Sequence, residues 1–249
     1  MSAFAPIVPP QHLEELQKQN IFGNYHLLLA HEVIKYESFY AEAFEDFKGT
    51  VIMDNSTVEL GEPVKLKDMK RACEIVPATY VVLPDVLNDP KKTLAMHKEH
   101  YKDYAKLTPR EDLGLMCVPQ GTDEESLYAC IRTMLSSPFG LMGISRSMTR
   151  YGVRREDVAA FILSQKKLTY LHMLGCSDNL LDDIVAARMP NVMGIDSSLP
   201  YLQGVHRKEF TLDHPFMRMY RKEDTWGQQP WNQRVGTFIT QMRKWLGAE

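Results

Sequence analysis

Short apolar runs alternate with longer amphipathic stretches along this chain, and the alternation predicts a parallel α/β fold. Continuous apolar runs are typical of parallel strands that are buried on both faces. Seven runs of this kind occur, at residues 25–30, 50–54, 80–85, 113–119, 140–145, 168–174 and 192–196. Apolar residues at helical spacing predict helices at 63–75, 90–107, 127–134, 155–164, 179–188 and 235–246.

The number of strands decides between two architectures. Strands that alternate with helices are typical of an α/β (β/α)8 TIM-type barrel, which is the fold we expect, although no eighth apolar run stands out. A doubly wound parallel sheet is therefore the alternative. The 249 residues suit a single domain, with a barrel core at about 25–200 and a C-terminal extension at 201–249 that ends in a closing helix.

Composition narrows the class of protein. The chain is 44% apolar and 24% charged, as expected for a soluble globular domain. No apolar stretch approaches the ~18 residues of a membrane span, and the N-terminus lacks the pattern of a signal peptide. The four cysteines are scattered without a CxC or CxxC pair, which favours reduced thiols in the cytoplasm and argues against a thiolate zinc site.

The net charge of −3 hides an asymmetry between the two parts of the chain. Residues 1–145 carry 14 Lys and Arg against 21 Asp and Glu, whereas residues 146–249 carry 15 against 11. A group of arginines follows the predicted strand at 140–145: Arg146, Arg150, Arg154 and Arg155. Such a basic edge can hold a phosphate backbone, and a solvated helix face with local ion pairs is the alternative.

Polar groups stand where the predicted strands end. In barrels of this class the C-terminal ends of the strands meet at one mouth, which carries the active site. The groups at these ends are Asp54, Asp85, Gln120-Gly121, Ser145-Arg146, Gly175 and Asp196. A single strand-end Asp is commonly a helix cap, but several at successive ends predict one polar pocket.

The residue types at these ends indicate a chemistry. Two carboxylates in unlike surroundings, Asp196 and Asp54, suit nucleophile and acid–base roles at the anomeric carbon of a sugar. Asp85 offers an acceptor, and Gln120 offers a donor and an acceptor. Together they suit the hydrogen-bonding edge of a guanine or a deazaguanine base.

The order and spacing of these segments resemble the tRNA-guanine transglycosylase superfamily over about residues 50–201. The segments that carry the resemblance are Asp54-Asn55-Ser56, Leu83-Pro84-Asp85, Val118-Pro119-Gln120-Gly121, Gly143, the run 170–175 followed by Leu180-Leu181, and the run 194–200. The last of these is similar to the Phe-Asp-Cys-x-x-Pro segment that holds the family's nucleophilic Asp. The resemblance covers the predicted barrel core.

The resemblance implies roles for these positions. Asp196 would attack C1′ of a guanosine as the covalent nucleophile, and Asp54 would handle the protons. The residues expected to bind the substrate base are Asp85, Gln120, Gly121, Gly143, His172, Asn55 and Ser56. No cofactor is expected, because the glycosyl ester keeps most of the energy of the broken bond.

Departures from the family pattern favour DNA as the nucleic-acid partner. The family's C-terminal Cys-x-Cys-x-x-Cys…His zinc site is absent, so no metal is expected. Val58 stands where the family has an aromatic that stacks on the base, and His172-Met173 replace its Met-Gly pair. The short chain is most similar to phage-type enzymes that exchange guanine in DNA for a 7-deazaguanine. If encoded by a phage, the protein would act in the host cytoplasm.

Three other functions stay open from the sequence. The substrate could be tRNA, or a hydrolytic N-glycosidase could use the same carboxylates with water. A non-enzymatic nucleic-acid-binding barrel is less favoured, because a binder needs the basic edge and not the polar strand ends. The oligomeric state is also open, with a homodimer as one possibility.

Overall fold

Eight parallel strands form one sheet in this computed structural model, which describes residues 2–165, 169–176, 179–206, 209–212 and 229–247. They are β1 (Ala3–Pro6), β2 (Tyr25–Leu29), β3 (Thr50–Asp54), β4 (Tyr80–Val82), β5 (Leu115–Cys117), β6 (Leu141–Ser145), β7 (Tyr170–Leu174) and β8 (Val192–Ser197). Their order is β1-β8-β7-β6-β5-β4-β3-β2, and β1 lies beside β2 at the seam. The sheet is thus a nearly closed (β/α)8 barrel, as predicted.

The strand that the sequence did not reveal is β1. It is four residues long, ends in Pro6, and pairs in parallel with β8, where Ala5 lies opposite Asp196. So short a run resembles a loop in the sequence, and the pairing to a strand about 190 residues away is not a local signal. The barrel therefore begins at Ala3, and the predicted core at about 25–200 was too short.

Helices surround the barrel. They are α1 (Leu13–Lys18), α2 (Ala30–Lys35), α3 (Glu37–Phe44), α4 (Thr57–Leu60), α5 (Leu66–Ile75), α6 (Pro90–Ala105), α7 (Glu124–Leu135), α8 (Arg155–Ser164), α9 (Leu180–Ala187), α10 (Leu199–Val205) and α11 (Gln233–Leu246). The six predicted helices correspond to α5 to α9 and α11. The short helices α1 to α4 and α10 were missed, because a few turns carry little periodicity. No described helix is long and apolar enough to cross a membrane.

Two apolar cores sit on opposite faces of the sheet. One fills the barrel and contains Leu27 of β2 and Ile52 of β3, and the other lies between the strands and the helices. Side chains alternate between the two faces of a strand. Ile52 points inwards, so Asp54 two residues later shares that face, whereas Ile195 points outwards and its neighbour Asp196 points into the barrel.

The closing helix α11 packs against β1 and α10. Its inner face buries a row of side chains that recurs every three or four residues: Val235, Ile239, Met242 and Leu246. This spacing places them on one side of the helix. The predicted irregular segment after residue 201 begins instead with the end of α10, and residues 207–208 and 213–228 lie outside the described part of the chain.

Candidate active site

Asp196 lies at the barrel mouth near the end of β8, with its side chain largely buried. Its Oδ1 accepts two hydrogen bonds, from the backbone N–H of Gly175 at 2.9 Å and from His172 Nε2 at 3.0 Å. Gly175 follows β7 with a φ of +65°, a conformation that favours glycine. Among the described residues, no hydrogen bond is formed to Oδ2 of Asp196.

Asp54 ends β3 at the same mouth and holds a proton more tightly than an ordinary carboxyl. Burial, the charge of Glu59 and the charges of Asp85 and Asp196 raise its pKa to about 8. A backbone N–H from Ser56, at 2.7 Å from Oδ1, opposes the rise. Asp54 is therefore protonated at neutral pH and can donate a proton.

The loop after β3 holds Asp54 and is itself buried. Ser56 is fully buried with a φ of +62°, and its hydroxyl accepts the backbone N–H of His31 at 3.4 Å. Asn55 donates to Leu83 O at 2.8 Å, and its side-chain oxygen accepts from Thr57. Asn55 and Ser56 are thus buried and support the loop, and their predicted contacts with the substrate stay predictions.

Asp85 and Gln120 lie together, as the strand-end pattern predicts, but they are bonded to each other. Gln120 Nε2 donates to Asp85 Oδ2 at 2.5 Å, and Gln120 Oε1 accepts the N–H of Asn88 at 3.1 Å. Oδ1 of Asp85 accepts from Asn55 at 2.7 Å and from Thr57 at 3.1 Å. Burial raises the pKa of Asp85, and these hydrogen bonds oppose the rise. Oδ2 can accept one more donor, such as an N–H of a base.

His172 lies beneath Asp196 and not over the mouth. Its side chain is fully buried, and both ring nitrogens have partners within the barrel, Asp196 and the hydroxyl of Tyr25. The prediction that His172 binds the base is therefore corrected. The sequence analysis did not identify Tyr25, because Tyr25 is the first residue of an ordinary apolar strand and nothing local indicates its contact with His172.

Gly143 and Gly121 are explained by packing. A Cβ at Gly143 would lie 2.4 Å from Met116 Cε and 2.8 Å from Leu174 Cδ1 inside the barrel. A Cβ at Gly121 would lie 2.8 Å from the backbone N of Leu127 on α7. Both glycines are needed for close approach. Their predicted contacts with a base stay predictions.

The predicted arginine cluster divides into exposed and buried members. Arg146 and Arg150 are exposed on the turn after β6, and Arg154 is exposed with an ion pair to Glu156. The stem of Arg146 lies over Gly175, since a Cβ there would be 3.3 Å from Arg146 Cδ. Arg146 is therefore close to the Asp196 site.

Arg155 does not belong to this basic surface. It is buried, forms an ion pair with Asp183 and donates to Gly175 O at 2.8 Å and Leu174 O at 3.3 Å. The predicted phosphate contact of Arg155 is corrected, because its charge is neutralised inside the protein. Its guanidinium instead fixes the end of β7, which carries Gly175.

Two cavities lie away from this mouth. One of about 400 Å³ lies at the N-terminal ends of the strands and is lined by Asn24, Thr50 and Arg188 among others. We place the site at the opposite end, because the carboxylates with perturbed surroundings are there and because barrels of this class react at that end. Among the described residues, no group of three or more His, Cys, Asp or Glu is arranged to hold a metal ion.

No protein-family model matches the chain, and no curated protein matches it in sequence. The function is therefore argued from the geometry of the mouth and from the motifs that the sequence carries.

Proposed function

We propose that this protein exchanges guanine in DNA for a 7-deazaguanine base through a covalent intermediate on Asp196. The observation that carries the proposal is the contrast between two carboxyl groups at one mouth. The pKa of Asp54 is raised to about 8, whereas Asp196 Oδ1 accepts hydrogen bonds from two N–H groups. Paired carboxyl groups in opposite states are typical of glycosyl transfer.

In the first half-reaction Asp196 Oδ2 attacks C1′ of the nucleotide. The C1′–N9 bond breaks with its electron pair on the base, and the departing guanine takes the proton of Asp54. In the second half-reaction the N9–H of the 7-deazaguanine returns a proton to Asp54. N9 then attacks C1′, and the bond between C1′ and Asp196 breaks. Two displacements split one difficult step into two easier ones.

Asp85 and Gln120 would recognise the base. Asp85 Oδ2 accepts one hydrogen bond, from Gln120 at 2.5 Å, and a carboxylate oxygen can accept a second one from an N–H of the purine edge. A base that offers two N–H groups to the carboxylate would take over the place of the Gln120 amide. A site built for such hydrogen bonds strongly rejects analogues that lack them.

The exposed arginines favour a nucleic-acid substrate over a free nucleoside. Arg146, Arg150 and Arg154 lie on and just after the turn that follows β6, at the mouth. Contacts to phosphates position a nucleic acid without reading its sequence. The target base must leave the stack to reach the barrel, at a cost of a few kcal/mol that contacts inside the pocket offset.

Duplex DNA incubated with the protein and labelled guanine tests the proposal. We expect label in the DNA with the wild-type protein and none with Asp196→Asn. Abasic sites without incorporation would favour the N-glycosidase, and incorporation into tRNA alone would favour the tRNA enzyme. Unchanged DNA and tRNA, with the protein folded, would contradict base exchange.

A further inference from the structure

A hydrogen-bonded chain runs from Asp196 into the interior of the barrel. His172 Nε2 lies 3.0 Å from Asp196 Oδ1, and the hydroxyl of Tyr25 lies 2.7 Å from His172 Nδ1. His172 is fully buried and Tyr25 is 4% exposed. Neither side chain can touch a substrate at the mouth, so any effect on the reaction passes through Asp196.

The partners of the ring define one tautomer of His172. An ionised carboxylate oxygen only accepts, so Nε2 must carry the proton that faces Asp196. Nδ1 then has a lone pair and accepts the hydroxyl proton of Tyr25. Burial and the charge of Asp196 raise the pKa of Tyr25 well above its ordinary value, so the hydroxyl keeps this proton. Both ring nitrogens of His172 and the hydroxyl proton of Tyr25 thereby have hydrogen-bond partners.

The backbone of β8 makes room for this arrangement. Gly194 lies opposite His172, next to an irregularity in the pairing of β7 and β8. A Cβ at Gly194 would lie 2.6 Å from Cε1 of the Tyr25 ring. The glycine therefore lets Tyr25 approach the histidine across the barrel. A simple packing role for Tyr25 does not require its hydroxyl to meet a ring nitrogen.

We propose that His172 is a positioning residue for Asp196 and that Tyr25 fixes its tautomer. The inference rests on the proposed function, in which Asp196 is the nucleophile. The N–H of His172 and that of Gly175 hold Oδ1, which would leave the other carboxylate oxygen to attack C1′. Preorganised donors of this kind contribute because they need no rearrangement during the reaction.

Four variants test the role in the exchange reaction. His172→Leu removes the donor and should lower kcat about 100-fold, with the KM for the base within about threefold. His172→Gln can present an amide N–H to Asp196 and should recover most of this loss. Tyr25→Phe should lower kcat about tenfold. Tyr80→Phe is the matched control: Tyr80 also lies inside the barrel, but it contacts Arg110 and Met193, and its loss should leave kcat unchanged.

Nitrogen NMR of histidine-labelled protein tests the hydrogen bonds of His172 without an activity measurement. We expect a protonated Nε2 and an unprotonated Nδ1 for His172, with Nδ1 shifted in Tyr25→Phe and unshifted in Tyr80→Phe. A proton on Nδ1 instead, or equal kcat in His172→Leu and His172→Gln, would overturn the positioning role. Wild-type protein that exchanges no base but has the expected NMR spectrum would contradict the proposed function. It would still support the hydrogen-bonded arrangement of Tyr25, His172 and Asp196.

Discussion

The surroundings of Asp54 and Asp196 decide which chemical role each carboxyl group can take at the barrel mouth. Asp54 and Asp196 belong to the same residue type and lie close enough for their charges to interact, yet their surroundings differ. Asp54 lies near other carboxylates and accepts one backbone N–H, whereas Asp196 accepts two N–H donors. An acid and a nucleophile can therefore coexist at one pH.

The raised pKa of Asp54 predicts a pH dependence of activity. Because the carboxyl must be protonated to assist the departing base, kcat/KM for DNA should fall as the pH rises through about 8. Asp54→Asn should lower the rate and remove this fall. If kcat/KM of Asp54→Asn still falls near pH 8 as in the wild type, the titration belongs to another group.

The same group makes stability depend on pH. The unfolded carboxyl ionises near pH 3.8, whereas the folded one keeps its proton up to about pH 8. Between these pH values the carboxyl is ionised in the unfolded state and protonated in the folded state, so a rise in pH favours unfolding. The contribution of Asp54 to the free energy of unfolding is lost across this window. The melting temperature of Asp54→Asn should therefore rise relative to that of the wild type as the pH increases from 4 to 8.5. A constant difference between the two proteins would contradict the raised pKa.

Asp85 predicts an effect on recognition of the base. Asp85→Asn puts an amide against the Gln120 amide and removes an acceptor, so affinity for the free base should fall by about 100-fold or more. Asp89→Asn is the matched control, since Asp89 caps α6 in the same loop and Asn also caps well. Calorimetry with the free base measures both variants. Equal affinity in Asp85→Asn and wild type would leave Asp85 a structural residue.

Elements differ in how far the sequence could predict them. Long apolar runs such as β3 and β6 could be read directly, and the polar group after each could be placed at the mouth. The short strand β1 and the chain from Tyr25 through His172 to Asp196 could not, because both depend on partners far away in the sequence. Arg155 is buried and paired with Asp183, whereas its neighbour Arg154 is exposed, and the sequence did not indicate this difference.

Helix α11 should be part of the folded barrel and not an appendage. Ile239 is fully buried where α11 packs against β1 and α10, so Ile239→Ala should lower the free energy of unfolding by about 2–5 kcal/mol. Thr237→Ala, on the exposed side of the same helix, should cost far less. Urea unfolding measures both. Equal and small losses would mean that the barrel is stable without this contact.

At the scale of the whole molecule, the basic residues at the mouth predict where DNA binds. Arg150→Glu with Arg154→Glu should weaken binding to any sequence and flatten its dependence on salt, because fewer counterions are released. Arg132→Glu with Lys102→Glu is the control, since both lie in the last turns of outer helices, away from the mouth. Binding measured at several salt concentrations separates the pairs. Identical slopes for the two double variants would place the DNA elsewhere.

The covalent exchange at Asp196 is tested most directly by the nucleosides of treated DNA. DNA is incubated with the protein and a 7-deazaguanine base, digested, and analysed by mass spectrometry. We expect deoxyguanosine to be replaced by the 7-deaza nucleoside with wild type, and the yield to fall by about three orders of magnitude or more with a folded Asp196→Asn protein. Equal yields from Asp196→Asn and wild type, or no new nucleoside with any 7-deazaguanine, would contradict the account.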